Sequence, residues 1–376
     1  MERKESRLHT FIRFLRFGLL AWGGPVAQIA MIKQEMVDEE KWITPEKFNR
    51  VLSVYQILPG PEAHELCVYF GMLSGGRVSA ILAGLGFMLP GFILMFLLSW
   101  FYVTYGIDLP VLKYIFFGLQ PAVVALIVRA VHRIGGHALT DNWLWFTAIA
   151  SAALQFIGVN FLIVLAMSGV FYSIIKNQFN PNSLKLLFPF PLIMFSGVVI
   201  PSTYLLFFSG LKSGLLTFGG AYTVIPFLQH DAVVVGAWMT NQQFLDGLAL
   251  SSILPAPLII FSTFVGYLGG GPLGALAITV GIFLPAFAFT LLGHNFFEKI
   301  IENKALHAFL DGVTAGVVGI IGITSLNLFQ SAVVDLDSVI IFIVSLFLVY
   351  WLKAKWSVAV IMLIAGVIGV IAHLLY

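Results

Sequence analysis

Charge is what this sequence has least of. Asp, Glu, Lys and Arg make up 10% of its 376 residues, where a soluble domain carries about 25%. With 59% hydrophobic residues and a mean hydropathy of +0.97, that deficit excludes a soluble globular protein and points to an integral membrane protein. Cysteine is nearly absent. Cys67 stands alone, which excludes an intrachain disulfide and a multi-cysteine metal site. There is no His-Glu-x-x-His, no Gly-x-Ser-x-Gly and no phosphate-binding glycine loop, so no enzyme motif, cofactor or ATP-hydrolysing engine is expected. No cleavable signal peptide is evident, because the first apolar stretch holds Arg13 and Arg16 and lacks a small-residue cleavage site. A net charge of +2 offers nucleic acid no basic surface.

Present instead are long apolar runs rich in glycine and proline, which favour helices over a barrel. Two runs are interrupted where a helix would be expected to continue. Ile57-Leu58-Pro59-Gly60-Pro61-Glu62-Ala63-His64-Glu65 cannot be unbroken helix, since each proline removes a donor and restricts the residue before it. Pro61 suits a helix start, and Glu62 and Glu65 suit its positive end. The chain repeats the device at Ile253-Leu254-Pro255-Ala256-Pro257-Leu258.

The repetition runs the length of the chain. Arg16 superposes on Lys212, Gly23-Gly24 on Gly219-Gly220, Glu35 on Asp231, Trp42 on Trp238, Thr44 on Thr240 and Pro59 on Pro255. Further on, Gly86 matches Gly281, Pro90 matches Pro285 and Gly118 matches Gly312. The expected organisation is a tail 1–10, a first repeat 11–176, a linker 177–206 with one crossing at 188–206, and a second repeat 207–376. Matching loops never both carry cations: Lys33, Lys41, Lys47 and Arg50 have no counterparts, nor do Arg129 and Arg133, whereas Lys299, Lys304, Lys353 and Lys355 lie only in the second half. Under the positive-inside rule the halves then lie upside down to each other, an inverted-topology repeat. The fold class expected is an all-α polytopic membrane protein with broken or re-entrant helices at the Gly-Gly and Pro-x-Pro motifs. Crossings are expected at 78–103, 111–133, 143–157 and 161–176, and at 272–297, 305–328, 338–352 and 356–373. The segments 11–32 and 46–75, with partners 207–228 and 242–270, read as re-entrant hairpins, or alternatively as single crossings with the 33–50 loop outside.

Non-helical backbone at membrane depth belongs in protein or at a wet cavity, and helix N-termini aimed at one point favour an anion. The candidate substrate-binding residues are Gly23, Gly24, Gly60, Pro61, His64, Gly219, Gly220 and Ala256, with the cations Arg16 and Lys212. Glu35, Asp231, Glu62 and Glu65 are candidates for proton coupling. The plainer readings are packing kinks for the glycines, snorkelling for the cations, a packing role for His64 and loop acids for Glu35 and Asp231. Arg77, Arg129 and Arg133 read as topology determinants, Trp42 and Trp238 as interfacial anchors, and Thr44 and Thr240 as helix caps.

The strings Phe17-Gly18-Leu19-Leu20-Ala21-Trp22-Gly23-Gly24-Pro25, Leu58-Pro59-Gly60-Pro61-Glu62-Ala63, Leu89-Pro90-Gly91-Phe92, Gly118-Leu119-Gln120-Pro121 and Phe283-Leu284-Pro285-Ala286-Phe287 resemble the chromate transporter (chromate ion transporter) family in its long, two-domain form. The resemblance implies a multi-pass protein of the inner (plasma) membrane that exports chromate and confers chromate resistance, with sulfate or another oxyanion, or an anion channel, as the alternative. The expected working cycle is alternating access by one half rocking against the other. The partners expected are a chromate- or sulfate-like oxyanion, the lipid bilayer and, as an option, a second copy of the chain in a homodimer. One departure stands out: the family usually has Pro-Gly-Pro in the second half too, where this chain has Ala256. Its methyl is expected to narrow that half-site.

Overall fold

The structure is a computed structural model describing residues 5–106, 109–178, 203–293, 303–352 and 356–374. The described residues are helical or in turns, with no strand among them, and the chain is an all-α membrane protein. The first half contains α1 (Arg7–Leu19), α2 (Gly24–Lys33), α3 (Pro45–Ile57), α4 (Glu62–Phe101), α5 (Pro110–Ala138), α6 (Asn142–Phe156) and α7 (Phe161–Ile175). The second contains α8 (Thr203–Leu215), α9 (Ile225–Gln229), α10 (Asn241–Ile253), α11 (Ser262–Gly293), α12 (Lys304–Ala332), α13 (Leu336–Trp351) and α14 (Ser357–Leu374). Π-helical turns at Gln34–Glu39 and His230–Val235 occupy matching places. The expected 188–206 crossing falls outside the described residues up to the start of α8, as do Lys185, Lys299, Lys353 and Lys355.

Four helical stretches are long and apolar enough to cross a membrane: Glu62–Tyr105, Val111–Ala138, Leu258–Leu292 and Lys304–Ala332. Two of them are not single rods. α4 reverses at Gly75 and Gly76, and α11 at Gly270 and Gly271, where backbone angles leave the helical region. Beyond each reversal the limbs run back along each other: a Cβ on Gly71 would lie 2.6 Å from the Ala83 methyl, and Thr263 shares a 2.8 Å hydrogen bond with Thr279. The limbs able to cross are therefore 77–101 and 272–293. At 1.5 Å per residue the limb 62–74 reaches about 20 Å, short of a hydrocarbon core of about 30 Å. The same holds for α1, α2 and α3.

These short pieces form two hairpins whose open ends lie together. Thr10 meets Ser74 at 2.7 Å. Arg13 reaches Glu35 at 3.0 Å and Glu40 at 2.6 Å, and Phe70 meets Trp42 edge-on and stacks with Phe48. The breaks at 20–23 and 58–61 are the tips. Of the two expected topologies, this geometry matches the re-entrant one. Thr44 and Thr240 cap α3 and α10 through the amides of Lys47 and Gln243. Trp42 and Trp238 differ from free interfacial anchors: their indole N–H groups donate to Glu40 and to the Val265 carbonyl.

The halves interlock. α5 packs on α13 and α14 of the second half, α12 packs on α6 and α7 of the first, and α5 and α12 touch. Close approach uses glycine at equivalent positions, as lipid offers helices no hydrophobic drive to associate. A Cβ on Gly118 would lie 2.0 Å from the Ala365 carbonyl oxygen, and one on Gly312 would lie 2.4 Å from that of Ser168. A second group comprises α1 on α4, α8 on α11, and α4 on α11. Each group thus draws on both halves, so neither half is a separate body.

Candidate functional site

Four of the charged candidates, Arg16, Glu35, Lys212 and Asp231, pair along the hairpin arms. Arg16 binds Glu35, which also accepts from Arg13. In the second half Lys212 binds Asp231 at 2.5 Å, and Ser209, which stands where the first half has Arg13, donates to the same carboxylate at 2.6 Å. Two cations and two acids singled out for different roles therefore form two equivalent clasps. Each joins the first arm of a hairpin to the π-helical turn that follows its second arm.

The tips meet across the halves. Gly60, at φ +152°, donates its amide to the Thr217 carbonyl at 3.0 Å. That carbonyl lies just before Gly219 and Gly220, both in left-handed or related positive-φ backbone (φ +79° and +116°). A Cβ on Gly60 would stand 3.0 Å from Glu65 Oε1 and 3.3 Å from the Ala286 methyl. Pro61 caps α4, and its carbonyl accepts from the amides of His64 and Glu65. A Cβ on Gly220 would lie 4.0 Å from Glu62 Oε1. The break of one half, at Gly60 and Pro61, thus sits beside the break of the other, at Gly219 and Gly220. Gly23 and Gly24 are not brought there: Gly23 is exposed, and the neighbouring Trp22 stacks on Trp356 at 5.8 Å.

Ala256 is explained by its neighbour. Each Pro-x-Pro tip packs on the Leu-Pro-small-Phe stretch of the opposite half: Gly60 on Ala286, and Ala256 on Gly91, where an added methyl would lie 2.5 Å from the Ala256 Cβ. Each contact holds one glycine and one alanine, with their places exchanged. The methyl is accommodated by Gly91 and does not narrow that half-site on its own.

Three buried groups on α4 lack partners among the described residues: both ring nitrogens of His64, both carboxylate oxygens of Glu65, and Glu62 Oε2. His64 is fully buried between Phe87, Phe283 and Phe287, with the last two centroids 4.9 and 4.7 Å away. That cage joins the halves. Glu65 is also fully buried and faces Gly60. An ionised carboxylate there has no donor to hold its charge.

Residues outside the sequence-derived set also converge. Asp246 on α10 accepts from Tyr102 Oη and Gln120 Nε2, each at 2.8 Å, tying α10 to α4 and α5. Gln120 and Asp246 fall within the repeated motifs, but spacing alone carries no sign that they touch. Asp246 occupies the place of Arg50, which is exposed. The difference extends over both helices. α10 packs on α5, α12 and α14, while α3 makes no comparable contact with α12, α5 or α7. Ser53 is exposed where Ala249 is fully buried. The open face of α3 is Glu46, Asn49, Arg50, Ser53 and Gln56, a polar stripe that belongs against water and not hydrocarbon.

Crossing helices arranged in two interlocked groups, with broken helices meeting between them, define a polytopic membrane protein built around a buried backbone site. The chain belongs to the chromate transporter family, whose profile matches twice, over residues 8–173 and 204–370. It is 52% identical to the chromate transport protein of Pseudomonas aeruginosa, over 96% of this chain and 91% of that protein. It is 31% identical to the chromate transport protein of Cupriavidus metallidurans, over 96% and 92%. It is 30% identical to a probable chromate transport protein of Synechococcus elongatus, over 95% and 93%. No solved structure matches the chain.

Proposed function

We propose that this protein is a secondary transporter that moves chromate out of the cytoplasm across the inner (plasma) membrane, and so confers chromate resistance. The observation that carries the reading is the unequal docking of two equivalent helices around one shared break: α10 is sealed onto its neighbours, and α3 stands off with a polar face. The repeats are inverted, as the alternation of loop cations suggests. α3 and its neighbouring Lys33, Lys41, Lys47 and Arg50 then flank a vestibule open to the cytoplasm. Sealing of the opposite side by α10 favours alternating access over an open channel. Because the halves interlock, the moving unit is the hairpin group around α4 and α11, working against the group around α5 and α12. The site within comprises Gly60, Pro61, Gly219 and Gly220, with Ala256 and Gly91 packed behind. Glu65 is placed to carry a proton, and Arg16, Lys212, Glu35 and Asp231 hold the hairpins shut.

The energetics favour outward movement of a dianion. Each elementary charge is worth about 2.3 kcal/mol per 100 mV, so an interior-negative potential alone drives a divalent oxyanion outwards. Uptake of radiolabelled chromate into inverted vesicles tests this. Accumulation is expected under an interior-positive potential and is expected to collapse on adding an uncoupler. Flux indifferent to both voltage and pH gradient would defeat coupled export, and complete competition by sulfate would mark sulfate as a shared substrate.

A further inference from the structure

Two arginines that the topology alone accounts for as loop markers lie on the part of α5 beside the second-half break. Arg129 and Arg133 are one turn apart near the end of α5, on one face of the helix. Neither has an ion pair or hydrogen bond to another described residue. Their stretch of α5 lies against the second-half break: a Cβ on Gly219 would be 3.9 Å from Ile134 Cγ2, and Tyr222 packs on the cluster around Ile134 with Val131. From the other side comes Glu62, 9% exposed, with Oε1 against Gly220 and Oε2 unpartnered. Arg133 attracts Glu62, and both arginines act electrostatically on Tyr222. Arg129 is half-buried and Arg133 exposed, whereas Arg77, which carries the same topological signal, lies at the reversal of α4, at the open end of the hairpins.

We infer that Arg129 and Arg133, beside the Gly219-Gly220 backbone, form the side-chain half of a binding site for a tetrahedral divalent oxyanion, and that Glu62 competes with the anion for Arg133. This rests on the transport reading and adds to it the charges that the breaks lack. Two guanidiniums match the two charges of the ligand and give its oxygens planar, bidentate donors. Glu62 attracts Arg133 across the site without pairing with it. Its own charge opposes an anion at the Gly220 backbone, so the site releases its ligand instead of trapping it.

Equilibrium dialysis of the purified full chain with radiolabelled chromate, alongside the vesicle assay, tests the inference. Losing charge-assisted hydrogen bonds in Arg129→Gln/Arg133→Gln is expected to weaken chromate binding by roughly tenfold or more. Arg133→Lys should restore part of the loss, Arg77→Gln should leave binding unchanged, and Glu62→Gln should tighten it several-fold. Wild-type affinity in the double variant, or an equal loss in Arg77→Gln, would overturn the site. If the double variant does not insert, Glu62→Gln decides: unchanged or weaker binding refutes the competition. Wild-type protein that carries and binds no chromate would instead remove the transport reading, and this site with it.

Discussion

α3 and α10 occupy the same place in two copies of one pattern, and they behave differently. Both are 13-residue helices capped by threonine and ended by a Pro-x-Pro break. α10 is buried on nearly every side and held by Asp246, while α3 shows a polar face. The backbone repeats this asymmetry: Gly60 reaches across to Thr217, whereas the Ala256 amide bonds locally to the Leu254 carbonyl. A duplicated chain in a symmetric state would show neither difference. Matching elements have produced one docked hairpin and one undocked hairpin, and their sequences differ where the docking does, Arg50 and Ser53 against Asp246 and Ala249.

The comparison can be broken most completely at the tip. Gly60→Val places a branched side chain at φ +152° and against Glu65 and Ala286. It is expected to abolish chromate flux while inserted protein remains at normal levels by immunoblot. Gly219→Val should do the same, and normal flux in both would remove the breaks from the site. Next in size is the latch. Asp246→Ala loses two hydrogen bonds to a charged group, each worth about 1.5–3 kcal/mol. In a Cys67→Ser background, Ala249→Cys should react slowly with a membrane-impermeant thiol reagent and faster once Asp246 is replaced. Ser53→Cys should react readily in both cases. Equal rates at 53 and 249 would show that the two helices do not differ.

The exchanged Gly–Ala contacts give a smaller, reciprocal test. Gly91→Ala overpacks the Ala256 tip by about 1–3 kcal/mol, and Ala256→Gly in the same chain should recover most of it by recreating the first-half contact in mirrored order. Thermal unfolding in detergent would measure the coupling, and strictly additive effects would deny the contact. The clasps come below that. Arg16 is more than half exposed and Lys212 less so, so Lys212→Gln should lower the midpoint more than Arg16→Gln, both by no more than about 1 kcal/mol.

The smallest effect lies at the edge of the α6–α7 pair. Desolvation raises the Asp141 carboxyl, but Lys176, the Leu144 amide and the Tyr172 hydroxyl outweigh it and hold its pKa at about 2. A carboxyl depressed in the folded state stabilises it above its unfolded value, near 3.9, and loses that contribution as pH falls towards about 2. Asp141→Asn should flatten the acid limb over that window by lowering stability at neutral pH, by no more than about 1 kcal/mol for so exposed a pair, and leave stability below about pH 2 unchanged.

Much of the fold was legible because membranes leave few options. Among the described residues, all eight expected crossings other than the linker correspond to helices or helix limbs, with ends shifted by a few residues; 294–297 of the fifth lie outside them. Proline and glycine marked the breaks because no other residues interrupt a backbone so locally. The pairing of Arg16 with Glu35 and of Lys212 with Asp231 was half legible: the residues stood out, but not as partners. Arg129 and Arg133 were visible only as loop cations, since nothing in α5 itself indicates which break its last turns face. The Asp246 latch joins positions 144 and 126 residues apart in the chain, and periodicity has no reach over that distance.

The sequence by itself determined the membrane, the helices, their breaks and the repetition, because each follows from local hydropathy and backbone stereochemistry. The tertiary structure decided that the halves interlock, that the first Pro-x-Pro tip rests on the second Gly-Gly break, and that one hairpin is docked while its twin is open. Those are relations between two matching patterns whose differences, such as Arg50 against Asp246 and Ser53 against Ala249, lie in the sequence. What those differences do depends on which distant helices the two positions meet, and only packing across the whole molecule decides that.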